Sequence, residues 1–315
     1  MSAVTAPPAP APPAPPPAQP SLWQRVHGWA INPWGKPRFL PFVTWVYMVW
    51  AIVPVLIAIQ FSFNDSRSRT IWAGFSTRWY WSDPNSVWNQ PQLRSALEQS
   101  LKLASLDVLI ATPIGVALAL GLARWRGRGS GSSNFLMLFP LVTPEIVMGV
   151  SLLLLFTHLF TFVHTSTLAQ VLGHVTFSIS YVVVIVRGRL FSIGRQYEEA
   201  AADLGAPPAV ALYRVLLPLL TPAIVASAAI AFAISIDDFV ISYYLSCGAP
   251  CDTVPIEIYS ATRAAPLPNI NAIATIMMIV TLLSVVAGYV VYRFFTRGEE
   301  SAAGGLAGGL GAFDV

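Results

Sequence analysis

Hydrophobic residues along this chain are grouped into long blocks with short polar segments between them. Six apolar stretches are present, at about 39–63, 96–123, 135–160, 168–186, 215–245 and 270–295. A helix of about 20 residues crosses a bilayer core of about 30 Å. Only helices and closed barrels satisfy their backbone hydrogen bonds in lipid. The pattern therefore predicts an all-α integral membrane protein with six transmembrane helices in residues 39–297.

The segments outside this region have different compositions. Residues 1–20 contain nine prolines and no charge, which predicts a disordered tail because such a segment buries too little surface to fold. Residues 21–38 combine tryptophans with a helical spacing of apolar positions, which fits either an interfacial helix or a linker with aromatic anchors. Residues 298–315 are rich in Gly and Ala and are predicted to form a flexible tail.

Charge supports the membrane assignment. Of the 315 residues, 55% are hydrophobic and 10% are charged, whereas soluble domains carry about 25% charged residues. The net charge of +3 indicates no nucleic-acid partner, since the basic residues flank the apolar stretches. More of these basic residues fall on one side of the membrane than on the other, and the side with more of them is usually cytoplasmic. This predicts that both termini and the polar segment 198–222 are cytoplasmic.

The sequence also excludes several kinds of catalytic site. Lys36 and Lys102 are its only lysines, and neither completes the phosphate-binding pattern G-x-x-x-x-G-K-[ST]. Any ATP hydrolysis would therefore need another polypeptide. No nucleophile is paired with a base, so no enzyme site is predicted. His158, His164 and His174 are not spaced to share a helical turn, which favours structural roles over a metal site.

Residues 198–222 are too polar to lie in lipid. Helix-forming residues lead to Gly205, which can adopt the left-handed conformation that ends a helix, and two prolines follow. A second short helix is predicted over 209–217, kinked or stopped by Pro218. Helicity alone fits equally an amphipathic loop on the membrane surface and a small knob that docks on a partner.

The order of residues in this segment distinguishes the two. Glu199-Ala200-Ala201, Gly205 and Val215-Leu216-Leu217-Pro218 resemble the EAA signature, E-A-A-x3-G-x9-I-x-L-P, of ATP-binding-cassette importer permeases, with Val215 in place of Ile. The resemblance implies the type I, MetI-like permease fold and a coupling helix that docks on a separate ATPase. The coupling residues it implies are Glu198, Glu199, Ala200, Ala201, Asp203, Gly205 and Pro218.

Further motifs are similar to permeases of spermidine/putrescine importers. They are Gly74–Tyr80, Thr143–Met148, Gly173–Phe177, Ser235–Phe239, Pro255–Ser260 and Asn271–Thr275. The resemblance implies a bacterial inner-membrane subunit that takes up polyamines by alternating access. Its implied partners are a second permease, a pair of ATP-binding subunits and an extracytoplasmic solute-binding protein. ATP and Mg would be held by the ATPase, with no cofactor on this chain.

Four carboxylates fall at predicted membrane depth: Asp107, Glu145, Asp237 and Asp238. A charge at the bilayer centre costs about 2.5–3.5 kcal/mol on insertion scales, so such groups usually face a protein interior or water. The excess of negative charge predicts a cation pathway that uses Glu145 and at least one of Asp237 and Asp238. Helical geometry predicts that adjacent residues point about 100° apart, and that Glu145 lies deeper than the aspartate pair.

Cys247 and Cys251 flank a segment that permits a tight turn, so they can form a disulfide, the alternative being two free thiols. Two other functions also remain open. One is a permease of the same type for another small solute. The other is an ion-driven secondary carrier or channel, which inverted repeats between the two halves would favour; no such repeat is evident in the sequence.

Overall fold

The computed structural model describes residues 21, 23, 39–68, 70–124, 127–263 and 267–310, and the backbone alone for 295–310. The predicted tail 1–20 and almost all of segment 21–38 lie outside these residues. The chain divides into two compact units, Met1–Val55 and Leu56–Val315. Across the described ranges the structure is helical, and its β-structure is one isolated bridge between Asn64 and Phe75.

Ten helices are described. They are α1 Phe39–Ser62, α2 Pro91–Arg124, α3 Ser130–Val142, α4 Glu145–Leu159, α5 Thr167–Ile193, α6 Gln196–Asp203, α7 Pro208–Asp237, α8 Val240–Leu245, α9 Val254–Arg263 and α10 Asn269–Leu310. Five of them (α1, α2, α5, α7 and α10) are long and apolar enough to cross a membrane, and α3 and α4 are so only when taken together as one bent span. The predicted all-α membrane fold is confirmed.

Two predicted spans are interrupted. The predicted helix 135–160 is wrong as a single rod, because α3 and α4 meet at an angle of 105°. Pro144 cannot donate a backbone hydrogen bond, and it forces the preceding Thr143 into an extended conformation. The predicted span 215–245 is also too long, since α7 ends at Asp237 and α8 begins at Val240.

The boundaries of two other helices extend beyond the predictions. α5 continues to Ile193, seven residues past the predicted end of the fourth span at 186. α10 continues to Leu310, through the region predicted to be a flexible tail from residue 298. Glu299, Glu300 and the alanines that follow are good helix formers, which explains why the helix does not stop at the membrane boundary.

The core of the second unit lies between α2, α5 and α7, which pack against one another. Val116 of α2, Val182 and Val186 of α5, and Leu216 and Leu220 of α7 are buried together. In lipid the hydrophobic effect does little to bring helices together, so close packing matters more. Small residues at the contacts allow this close packing. The close approach of α2 and α5 is the arrangement that brings polar residues of both helices together in the protein interior.

The aromatic loop between α1 and α2 is fixed to the ends of the helices. Trp79 is fully buried, and its Nε1 donates a 2.7 Å hydrogen bond to the carbonyl of Asn64. At the start of α10, the Nδ2 of Asn269 donates to the carbonyl of Asn85 at 2.9 Å. The loop therefore holds the start of α10 by a specific bond.

The contact between α2 and α5 leads to a stability prediction. A Cβ at Gly115 would lie 2.6 Å from the Cβ of Val182, whereas a Cβ at Gly121 of the same helix would meet no atom within 4 Å. Gly115→Ala should therefore cost about 1–3 kcal/mol through overpacking. Gly121→Ala should be neutral or slightly stabilising. Thermal unfolding in detergent tests this prediction, and equal melting temperatures for the two variants would contradict it.

Candidate functional site

An acidic cavity of about 570 Å³ lies where α4, α5, α7 and α10 come together. Three carboxylates line it, those of Glu145, Asp237 and Asp238. The other lining residues include three aromatic side chains and a hydroxyl: Phe177, Tyr181, Phe239 and Thr281. The three carboxylates that the sequence proposed for a cation pathway thus share one cavity.

The helix breaks explain how these carboxylates meet. Glu145 is the first residue of α4, directly after the bend at Pro144. Asp237 ends α7, and Asp238 follows with extended backbone angles, φ −65° and ψ 125°. The expected angle of 100° between adjacent residues does not apply, because Asp238 has left the helix. The predicted difference in membrane depth between Glu145 and the aspartates stays a prediction.

The two aspartates have different surroundings. Asp237 is exposed, as is Glu145. The Asp238 side chain is only 8% exposed, and its Oδ2 lies 3.3 Å from Nε2 of His174. The backbone N–H of Ser242, in the first turn of α8, donates to the same oxygen at 2.9 Å. Asp238 is therefore the aspartate that is bonded to a neighbouring helix, a choice that the sequence left open.

His174 is buried between two serines. Its Nδ1 lies 2.7 Å from Oγ of Ser235, and its Nε2 lies 2.9 Å from Oγ of Ser242. Because a hydroxyl can donate or accept, these serines fit either a neutral or a charged imidazole. Asp238, His174, Ser235 and Ser242 form what we call the His174 cluster.

Asp107 lies behind the His174 cluster and does not line the acidic cavity. Its side chain is fully buried, and its Oδ2 accepts a 2.7 Å hydrogen bond from Oγ of Ser178 on α5. Among the described residues no donor reaches its other oxygen, Oδ1. Ser178 lies one helical turn after His174 on α5, so Asp107 is held next to the turn that carries His174.

A second set of buried polar bonds connects the cluster to the loop after α8. The Nε2 of Gln170 donates to the carbonyls of Ser242 and Cys251, at 3.0 and 2.9 Å. Its Oε1 accepts a 2.9 Å bond from Nε2 of Gln99 on α2. The sequence pattern did not single out Gln99, Gln170 or Ser242. The signal that could have found them is the presence of amides and hydroxyls inside otherwise apolar spans.

Three of the motifs singled out in the sequence converge on this region. Thr143–Met148 contains the α3–α4 bend and Glu145. Gly173–Phe177 supplies His174 and the cavity aromatic Phe177, and Ser235–Phe239 supplies both aspartates. The motifs are far apart in sequence, and the helix breaks bring them together.

The segment with the EAA pattern forms a short projection. α6 ends in two hydrogen bonds, from the N–H of Gly205 to the carbonyl of Ala202 at 2.8 Å and from the N–H of Ala206 to that of Ala201 at 3.0 Å. Gly205 has φ +78°, the left-handed conformation that was predicted. This Schellman ending turns the chain sharply. Ala201 is buried against the rest of the chain, while Leu204 is 89% exposed.

The chain after this projection differs from the prediction. The helix predicted for 209–217 begins at Pro208, but Pro218 does not stop it, because α7 continues to Asp237. A π-helical turn, Leu212–Leu216, ends two residues before Pro218. Such a turn shifts the backbone hydrogen bonds and lets the helix accommodate a proline, which has no N–H to donate.

Most of the remaining predicted coupling residues are exposed. Glu199, Ala200 and Asp203 are exposed on α6, and Pro218 is exposed on α7. Glu198 is partly buried and forms an ion pair with Arg124 at the end of α2. This pair connects the projection to a membrane-spanning helix. Apart from that contact, α6 packs chiefly against the start of α7 and has little core of its own.

Comparison with known proteins assigns the chain to a family. Residues 111–300 match the family described as "binding-protein-dependent transport system inner membrane component". The chain belongs to this family. It is thus an inner-membrane permease component of a binding-protein-dependent transport system, a membrane subunit without catalytic activity of its own, as its sequence predicted.

Two curated relatives match over most of their length. The putrescine transport system permease protein PotI of Escherichia coli K12 is 36% identical over 268 residues, 83% of this chain and 92% of the relative. The spermidine/putrescine transport system permease protein PotC of the same strain is 34% identical over 258 residues, 82% of this chain and 95% of the relative.

Solved structures support the fold. A chain of a bacterial ABC transporter involved in alginate import has a TM-score of 0.68 and 16% identity, with 88% of this chain and 99% of that chain covered. A chain of an amino acid ABC transporter crystallised with histidines has a TM-score of 0.50 and 25% identity, with 64% and 94% covered. The six-span permease fold expected from the resemblance is therefore confirmed.

The loop after α8 contains the two cysteines, and their sulfur atoms are bonded in the structure. The bond closes a ring of five residues around Gly248, whose φ is +93°. Cys251 is buried, and its carbonyl accepts the bond from Gln170 described above. The ring thus fixes the loop onto the buried polar residues of α5.

This arrangement predicts the thiol chemistry of the loop. Membrane vesicles treated with a maleimide should take up no label at Cys247 or Cys251 until a reductant is added, because bonded sulfurs are not nucleophilic. Mass spectrometry of the labelled peptides measures this. Labelling of either cysteine before reduction would show free thiols and contradict the bonded ring.

Proposed function

We propose that this chain is one of two permease subunits of an ATP-driven importer that takes up polyamines, putrescine or spermidine, across the bacterial inner membrane. The observation that carries the proposal is the cavity in which Glu145, Asp237 and Asp238 meet three aromatic side chains. The names of the two relatives above support the same class of solute.

The chemistry of the cavity suits a linear organic cation. Ammonium groups pair with carboxylates, and aromatic faces attract cations within about 6 Å of the ring centroid. Phe177 and Tyr181 on α5 and Phe239 after α7 offer such faces, and they also offer apolar contacts for methylene groups. An anionic solute would meet three carboxylates here.

The projection around α6 suits a docking role. It is small, its Leu204 is exposed, and its ion pair with α2 can transmit a displacement to a spanning helix. We propose that Glu198, Glu199, Ala200, Ala201, Asp203, Gly205 and Pro218 form or support the surface that meets an ATP-binding subunit. ATP and Mg belong to that subunit, because this chain has no phosphate-binding loop.

The remaining parts of the proposal concern assembly and orientation. A second permease would complete the pathway, and an extracytoplasmic binding protein would deliver the polyamine. The bias of basic residues supports a cytoplasmic position for both termini and for α6. Closure of the ATPase dimer would then draw the α6 helices of the two permeases together, and the spans would change from an outward-open to an inward-open arrangement.

The first test of this function concerns the carboxylates. Glu145→Gln, Asp237→Asn and Asp238→Asn remove charge with little change in shape. We expect at least tenfold lower putrescine uptake for Glu145→Gln and for one or both of the aspartate variants, since each lost charge–charge contact is worth roughly 1.5–3 kcal/mol. The measurement is ATP-dependent uptake of labelled putrescine by proteoliposomes that contain the whole complex.

The control for this test is Glu98→Gln, which neutralises a carboxylate that pairs with Arg94 on the exposed side of α2. It should transport normally, and all variants should keep basal ATP hydrolysis. Wild-type uptake by all three cavity variants would contradict a cation pathway through these acids.

The second test concerns Gly205. Among the described residues no atom lies within 4 Å of a Cβ built there, so the strain of a substitution comes from φ +78° alone. Gly205→Val should cost about 1–2 kcal/mol in the turn and change the exit of α6. Gly188→Val is the control, because Gly188 lies in open space within the regular helix α5.

Both variants should insert into the membrane. We expect that Gly205→Val copurifies poorly with the ATPase or loses solute-stimulated hydrolysis, while Gly188→Val keeps both. Full transport by the Gly205→Val complex would show that the α6 turn is not part of the coupling surface.

A further inference from the structure

We propose that His174 is the exchangeable counter-ion of Asp238: its imidazolium balances the carboxylate until an ammonium group of the solute binds and displaces one proton. The inference rests on the proposed function, since it assumes a cationic solute in the acidic cavity. It assigns a positioning role to a histidine that does not line the cavity itself.

The geometry places His174 directly behind the cavity wall. Asp238 lines the cavity, and its Oδ2 lies 3.3 Å from Nε2 of His174, whose side chain is only 2% exposed. His174 is thus the base in contact with this carboxylate, and the solute can reach only the side of Asp238 that faces the cavity. A cation in the cavity and a proton on His174 would act on the same carboxylate from opposite sides.

The serines of the His174 cluster allow both protonation states. In the charged state, the imidazolium forms an ion pair with Asp238, whose Oδ2 lies 3.3 Å from Nε2, and Nδ1–H donates to Ser235, which lies 2.7 Å away. In the neutral state, Nδ1–H still donates to Ser235, and Nε2 accepts from the hydroxyl of Ser242 at 2.9 Å. No buried nitrogen of the ring loses its partner in either state, so the change requires rotation of one hydroxyl only.

The charges around His174 favour such an exchange. Asp107 of α2 accepts a hydrogen bond from Ser178, one helical turn from His174 on α5. Asp238 contacts His174 from the junction of α7 and α8, and Glu145 and Asp237 lie in the same cavity as Asp238. Histidine is the side chain that most readily gains or loses a proton near neutral pH. In the proposed empty state, the imidazolium is the positive partner of Asp238, 3.3 Å away. An incoming ammonium group repels it.

The proton balance is simple. The proton on Nε2 passes to Oδ2 of Asp238 and from there to water in the cavity, while one ammonium group takes its place beside the carboxylate. The net charge of the site is unchanged, and the Asp238 carboxylate has a positive partner before and after the exchange. Protons and polyamine therefore compete for the same site.

The experiment compares the apparent affinity for putrescine at different pH values. Proteoliposomes with the complete complex are supplied with labelled putrescine and saturating binding protein. The pH on the binding-protein side is varied from about 5.5 to about 8, and the ATPase side is kept constant. The affinity of the binding protein alone, measured over the same range, is factored out. The variants are His174→Gln and, as a matched control, His158→Gln, which removes an exposed histidine at the end of α4.

For the wild type we expect the half-saturating putrescine concentration to rise toward acid pH, by up to about tenfold per pH unit, the limit for one exchanged proton. The maximal rate should change much less. His158→Gln should show the same slope. For His174→Gln, the half-saturating putrescine concentration should not change with pH, because Asp238 then has no partner that carries a proton. Putrescine uptake should be retained at the alkaline end of the range.

Two results would overturn the inference while leaving the proposed function intact. One is a flat wild-type profile, which is decisive even where His174→Gln fails to assemble. The other is a His174→Gln complex that keeps the wild-type slope. A wild-type complex without ATP-dependent putrescine uptake would overturn the proposed function itself and the inference with it.

Discussion

A carboxylate in the interior of a membrane protein needs a partner, and the arrangement of this site depends on how Asp238 obtains one. The imidazole of His174 on α5 lies 3.3 Å from the Asp238 carboxylate, and the backbone N–H of Ser242, in the first turn of α8, donates to it. These bonds require α7 to end at Asp237, so that Asp238 leaves the helix and α8 can start with its N–H groups toward the carboxylate. The broken helix is thus a consequence of placing a charged group here.

The bend between α3 and α4 also places a carboxylate, that of Glu145, in the wall of the acidic cavity. Non-helical backbone at membrane depth is tolerated where it is buried in protein or lines a water-filled cavity. Pro144 makes the break, and Glu145 follows at the start of α4, where the helix dipole favours a negative charge. The two breaks together concentrate three carboxylates in one cavity on a scaffold of straight helices.

The sequence predicted the parts of this structure that depend on local or periodic signals. The long apolar stretches predicted the spanning helices, and Gly205 with its neighbours predicted the turn after α6. The carboxylates stood out because charge is rare in apolar spans. The partners of Asp238 could not be predicted in this way, since His174 and Ser242 are separated from each other by 68 residues and meet only through packing. Straight-helix geometry also failed at Asp237 and Glu145, where the helices are broken.

The central claim is that the acidic cavity receives the cationic solute, and protection of an introduced cysteine tests it most directly. Thr281→Cys places a thiol in the cavity wall, while the native cysteines are bonded to each other. In the complete complex, putrescine should slow the reaction of this thiol with a methanethiosulfonate reagent, and butane-1,4-diol, of the same length but uncharged, should not. Equal rates with and without putrescine, under conditions in which the complex transports it, would contradict the claim.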